Sequence, residues 1–247
     1  MIAQLRSELR RMRTTRTSLG LLLGLVALIL FGVIAGSFGS ESDLSLPENQ
    51  RELVGNGTFA AAFAAMIGVM AMTSEFRHGT IRATFVLTPE RMRVVAAKVL
   101  ASFLVGMGFG ALGAGLGLGT GVAMVRARGY DVLIDSGDVR SLLLGTIVMS
   151  ALWAALGVGL GALVRNQVLA IVGLFAWVFV VEILIFQYLP GVGRFAPGAA
   201  GTAITGSTVG KSSVHLLSAP VGAALLAAYA AAFVLAGALV VSRRDVT

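Results

Sequence analysis

Six stretches of this sequence run for about twenty residues or more with almost no charge, and nothing else constrains its fold so strongly. Wound as an α-helix at roughly 1.5 Å per residue, a run of that length matches the hydrocarbon core of a bilayer. The stretches are 18–38, 54–73, 94–125, 141–164, 168–189 and 219–241, with Lys98 near the start of the third and Glu182 inside the fifth as the exceptions. Composition agrees: 57% of the residues are hydrophobic and 13% charged. A water-soluble domain would carry about 45–50% and 25%. The expectation is an all-α integral membrane protein, a single transmembrane domain over 1–247 with six spans. At 32 residues the third span must tilt, bend or project beyond the hydrocarbon. Gly55, Asn56 and Gly57 loosen the start of the second.

Charge outside these stretches sets an expected direction. Lys and Arg are retained on the cytoplasmic side of a membrane. With the amino terminus inside, thirteen basic residues fall in the inner segments and six in the outer ones, so both termini are expected to be cytoplasmic. Glu41, Asp43, Glu48 and Glu52 make the first outer loop acidic, in agreement. The net charge of +7 is then a consequence of topology, and nucleic acid is not expected as a partner. The first apolar run is longer than the 7–15 residues of a signal peptide core, so it counts as a span. Before it, Ile2, Leu5, Leu9 and Met12 share one helical face beside Arg6, Arg10 and Arg13. Residues 1–17 are therefore expected to form an amphipathic helix in the inner interface, apolar face in lipid and arginines near anionic headgroups, or simply a basic anchor. Seventeen of the nineteen basic residues are Arg, and Ala, Gly and Val abound, as in GC-rich bacterial genomes.

Whole classes of chemistry drop out. The chain has no cysteine, so disulfides, Cys-ligated zinc, iron–sulfur clusters and thiol catalysis are excluded. A serine protease within the membrane needs a histidine beside its nucleophile. The two histidines, His78 and His215, fall in connections on opposite sides under this topology. Residues 206–212 read GSTVGKS, but Thr205 stands where a Walker A loop needs its first glycine, and the segment falls outside. It reads as a solvated loop, so no ATPase motor is expected in this chain.

The inner connection, 74–93, reads SEFRHGTIRATFVLTPERMR and is the most charged part of the interior. Ile81 and Phe85 lie four apart, so one helical face can be apolar while Arg77 and Arg82 reach water, and Pro89 ends the helix. These residues resemble the permease subunits of ATP-binding-cassette (ABC) transporters of the type 2 exporter class. The match is Glu75, Gly79, Thr80 and Ile81 as E-x-x-x-G-T-I, then Pro89 and Arg91 as P-x-R, then Lys98. The resemblance extends to the six spans, the amino-terminal connecting helix and the long connection before the last span. It implies that this stretch holds a coupling helix that docks on a separate ATPase subunit, with Glu75, Phe76, Arg77, Gly79, Thr80, Ile81, Arg82, Phe85, Pro89 and Arg91 as the coupling residues. It further implies a bacterial plasma-membrane permease that pairs with an identical or homologous chain and exports a drug, antibiotic, lipid or other small cargo. Two partner ATPase subunits would carry the ATP and Mg, with no cofactor in this chain. Residues 190–218, with Leu189-Pro190 and Pro197-Gly198, would form re-entrant helices at the outer end; the other reading is an ordinary surface loop.

Three residues inside the spans stand apart. Glu182 must face protein or a cavity, where it contacts substrate, bonds across a dimer or makes a structural hydrogen bond. Trp153 and Trp177 fall mid-span, as packing or pathway-lining residues rather than interfacial anchors. Glycines crowd the third span (106, 108, 110, 113, 115, 117, 119 and 121) and permit close helix packing. Two alternatives remain. An ion-coupled secondary transporter would use several midplane acids, where this chain offers one and no repeat. A non-transporting assembly or immunity protein would not stimulate an ATPase.

Overall fold

The computed structural model describes residues 5–10, 16–38, 43–77, 91–206 and 216–243. Among the described residues all regular structure is helical, without strands, and short turns and loops join the helices. Residues 5–10 form a short amino-terminal helical segment. After it come α1 (Arg16–Phe38), α2 (Pro47–Gly55), a 3-10 turn (Asn56–Phe59), α3 (Ala60–Arg77), α4 (Arg91–Ala127) and α5 (Ser136–Val164). The chain continues as α6 (Gln167–Ala176), a π-helical turn (Trp177–Val181), α7 (Glu182–Tyr188), α8 (Pro190–Gly193), α9 (Pro197–Thr205) and α10 (Ala219–Arg243). Six helical stretches are long and apolar enough to cross a membrane, the make-up of a multi-pass membrane protein.

Helix ends follow local chemistry. Pro47, Pro190 and Pro197 open α2, α8 and α9, where the missing N–H costs nothing. Asp135 and Asn166 cap α5 and α6, accepting from the amides of Gly137 and Leu169. Between α5 and α6 the chain reverses at Arg165, which has φ of 56°. The weak start expected at Gly55–Gly57 is the 3-10 turn, and α2 and α3 run through it as one 31-residue stretch, Pro47–Arg77.

The bundle is built around α5. Gly157 and Gly161 of α5 lie on the backbone of α3, and Gly159 lies on that of α10. A Cβ on Gly161 would sit 2.8 Å from the Val69 carbonyl oxygen, and one on Gly237 of α10 would sit 2.8 Å from that of Gly159. Helix α4 divides by face. Gly106, Gly110, Gly113, Gly117 and Gly121 meet neighbours, the first two on α5 and the rest on α2, the 3-10 turn and Ala60, whereas Gly108, Gly115 and Gly119 have open space. Close glycine contact is how helices associate where lipid offers no hydrophobic drive. Spans α1 and α6–α7 are peripheral, with 17% of their apolar windows buried against 61% for α5.

Candidate functional site

Two polar constellations mark the two ends of the bundle. At the near end, which carries residues 5–10, the Lys98 side chain is fully buried. Its Nζ donates to Glu75 Oε1 at 2.6 Å, to Glu8 Oε1 at 2.8 Å and to the Ala71 carbonyl at 3.2 Å. Three elements meet at one ammonium: the amino-terminal segment through Glu8, the end of α3 through Glu75 and the start of α4 through Lys98. An ammonium offers three donors, and these three acceptors use them all. Glu75 is 3% exposed, and a buried charge is tolerable only when paired and hydrogen-bonded in this way.

The amino-terminal segment was expected to face lipid with Leu5 and Leu9. Instead both leucines pack against the protein core that includes Leu25, Ile29, Ala64 and Ala101. Glu8 lies on the docked face, and Arg6 and Arg10 are exposed. The buried Lys98 ammonium, 2.8 Å from Glu8 Oε1, gives Glu8 a partner that lipid cannot supply, and this turns the apolar face inward.

Of the residues expected to couple to a partner, Glu75, Phe76 and Arg77 end α3. Glu75 holds Lys98, Arg77 is exposed, and the Phe76 ring lies 5.4 Å from the guanidinium carbon of Arg165. Arg165 Nη2 also donates to the Val240 carbonyl at 3.1 Å, so the α5–α6 reversal is tied to α3 and α10. Arg91 begins α4. Gly79, Thr80, Ile81, Arg82, Phe85 and Pro89 lie outside the described residues, as do both histidines and residues 207–213 of the Walker-like stretch.

At the far end, Gln50 is fully buried and bridges two loops: its Nε2 donates to the carbonyls of Leu44 and Asp131, both at 2.8 Å, and its Oε1 accepts from the Leu133 amide at 2.9 Å. Arg51 pairs with Asp138 at the start of α5 and donates from Nη2 to the Gly206 carbonyl at 3.0 Å. Asp43, in the turn before α2, is held below the usual carboxylate range by the Ser45 hydroxyl and amide.

Glu182 is 4% exposed and faces protein. Both its oxygens accept from the Gly198 amide at 2.9 Å, and Oε1 also accepts from Trp177 Nε1 at 2.9 Å. Within this chain the carboxylate therefore makes structural hydrogen bonds. Trp153 is buried, with its indole nitrogen against Gly201 of α9 and without a hydrogen-bond partner among the described residues; Trp177 is 44% exposed. Sequence reasoning passed over Glu8, Gln50 and Arg51. Glu8 had a signal, being the sole acid among the five arginines of residues 1–17. Apart from the Leu44 carbonyl, six residues before Gln50, the side-chain partners of Gln50 and Arg51 lie more than eighty residues away, beyond any local pattern. Among the described residues no group of His, Asp and Glu is placed to hold a metal ion. Searches against protein-family models and curated proteins returned no match.

Proposed function

We propose that this chain is the membrane-spanning permease subunit of an ATP-driven transporter of the ABC type 2 exporter class. In this reading it sits in a bacterial cell membrane with its near end and both termini cytoplasmic, and works as a dimer with two separate ATPase subunits. The observation that carries the reading is the Glu75–Lys98–Glu8 cluster. Glu75 and Lys98 belong to the motif on which the resemblance rests, and they clamp together the two helix ends from which residues 78–90 depart. A connection whose ends are joined through a buried ion pair transmits a push to α3 and α4 rather than absorbing it by splaying. Glu8 adds the amino-terminal segment to the same rigid unit.

The chain then supplies the pathway and a coupling segment, and the work of ATP hydrolysis is done elsewhere. Only contacts that differ between two states can shift their populations, so the push must be felt where the partner docks. The apolar residues Ile81 and Phe85 are the expected docking points. Export of a small substrate follows from the resemblance, as does the re-entrant character of the long connection before the last span.

The test is affinity purification from the native membrane, with ATPase activity measured before and after Phe85→Ala and Glu75→Ala. Recovery of an ATPase whose binding depends on Phe85, and whose stimulation by transport is lost in Glu75→Ala, supports the assignment. Normal transport in both variants would sink it. Recovery of no nucleotide-binding partner in mild detergent would favour an ion-coupled secondary transporter, with Glu182 as the residue to test.

A further inference from the structure

Two helices of unequal reach place the far edge of the hydrocarbon. Gly36 of α1 and Gly121 of α4 lie against Leu53 and Val54, adjacent residues of α2, so the two spans are level there. From that level α1 ends two residues on, at Phe38, whereas α4 runs six, to Ala127. The difference is roughly 6 Å of helix, about the depth of one headgroup layer. Phe38 closes the uncharged run of α1 and is 65% exposed, as suits a residue at the lipid edge. The overhang of α4 therefore lies among headgroups. It carries Arg126 in its last turn and Arg128 just past its end.

Both arginines are exposed, and neither forms an ion pair among the described residues. Arg128 reaches back to the lipid edge, its guanidinium carbon 4.8 Å from the centre of the Phe38 ring. A ring face attracts the cation but accepts few of the five hydrogen bonds a guanidinium can donate. The acids of the following loop do not take that place. Asp135 caps α5 through the Gly137 amide, and Asp131 lies beyond ion-pair distance of both arginines. Two unpaired guanidiniums at headgroup depth match phosphate, whose oxygens accept their donors in pairs.

The chain beyond Arg128 is held in one shape without being helical. Gly129, with φ of 80°, closes α4: its amide donates to the Arg126 carbonyl, and the Tyr130 amide donates to that of Val125. Gln50 then grips the loop from inside, through the Asp131 carbonyl and the Leu133 amide. These bonds fix an outward display of Tyr130, Val132 and Leu133, which are 36%, 37% and 47% exposed. Apolar side chains held outward in this way gain nothing from water. At a membrane interface they gain burial, and a tyrosine suits that boundary because its ring is apolar and its hydroxyl wet.

We propose that residues 126–133 bind an anionic phospholipid of the far leaflet, with Arg126 and Arg128 on its phosphate and Tyr130, Val132 and Leu133 set into the interface beside it. The proposal needs only that the spans cross a bilayer and does not rest on the permease reading. Because the chain has no cysteine, one fluorophore can be placed at will. Val132→Cys carries bimane on the loop, at a residue whose backbone takes no part in the Gln50 grip. Val221→Cys, 50% exposed at the start of α10, carries it in a separate chain as the comparison. Each full-length chain is reconstituted in phosphatidylcholine vesicles containing phosphatidylglycerol or phosphatidylcholine with a nitroxide on the fifth acyl carbon, and quenching is titrated. At position 132 the phosphatidylglycerol should quench at about one-fifth of the mole fraction the phosphatidylcholine needs, or less, as expected for a basic residue at an anionic lipid surface. Arg126→Gln with Arg128→Gln should bring the two lipids level, and at position 221 they should be level from the start. Quenching by neither lipid at position 132 would place the loop in water, and equal quenching by both would show no selection for charge. A preference that survives the double substitution, or one of equal size at position 221, would report a general attraction of a basic protein for anionic lipid. Each of these four results overturns the proposal.

Discussion

Helices α3, α5 and α10 and the span α6–α7 belong to one bundle, yet they are held by different physics. The first three touch backbone to backbone, through Gly68 and Gly157 between α3 and α5 and Gly159 and Gly237 between α5 and α10. In span α6–α7, Gly173 faces open space, the second half contributes one buried side chain, and the fastening to α9 is made by Glu182. In lipid the apolar solvent gives two helices no reason to associate, so attraction must come from close van der Waals contact or from hydrogen bonds. Close contact is spread along a whole face and fixes a scaffold. A single hydrogen-bonded carboxylate fixes one point and leaves the rest of the span free to pivot. The ion cluster at Lys98 stands between these cases, being polar like the second but knitting three elements like the first.

A substitution costs most at the scaffold. A side chain at Gly157 would overlap the Ala65 carbonyl of α3, a backbone atom that cannot turn aside. Gly157→Val should therefore separate α3 from α5 and cost at least the roughly 3 kcal/mol at the top of the ordinary range for overpacking. The expected outcome is a chain that fails to elute as a monodisperse species in detergent. A folded variant with an unchanged melting temperature would show that α3 and α5 are not in backbone contact.

Next in size is the ammonium. Lys98→Met preserves most of the side-chain volume but takes the ammonium away from the Glu75 carboxylate, buried at the end of α3. Breaking a buried pair from one side costs about 3–5 kcal/mol. Adding Glu75→Gln should recover much of that loss, since a neutral amide needs no counter-charge. Thermal unfolding of the single and double variants measures the recovery, and a double variant no better than Lys98→Met would mean that Lys98 acts by packing alone. Proteolysis near residue 10 sharpens the same point, because loss of the Glu8 contact should free the amino-terminal segment for cleavage while the spans stay intact.

How much of this was legible follows from range. The six spans could be read because hydropathy is a local property, and the observed helices differ from the expected ones by extension into flanking polar residues: 54–73 grew to Pro47–Arg77, since Pro47 can open a helix and the 3-10 turn bridges the glycines. Glu75 and Lys98 were both in view, but a sequence does not say that two residues 23 apart meet, nor that Glu8 joins them. The division of the glycines of α4 between packed and open faces was latent in their spacing, because 106, 110, 113, 117 and 121 step by three or four and 108, 115 and 119 fall between. The π-helical turn before Glu182 left no signal, because its residues, Trp177–Val181, are as suited to an ordinary helix.

The smallest expected effect tests that division of α4. Gly115 faces open space on the same helix whose Gly113 and Gly117 lie against the 3-10 turn at residues 56–59, so composition is constant and only the face differs. Gly115→Ala adds a methyl group that meets nothing, and it replaces a poor helix former with the best one, a gain of up to about 1 kcal/mol in a soluble helix. Within a long helix surrounded by lipid the backbone has few alternatives to give up, so the melting temperature should stay within a degree or two, on the side of stabilisation. Gly117→Ala, two residues on, would place its methyl 2.6 Å from the Val54 carbonyl oxygen and should lower the melting temperature measurably. Equal responses at the two positions would mean that α4 presents no preferred face to the 3-10 turn, and the scaffold side of the comparison would then rest on α3, α5 and α10 alone.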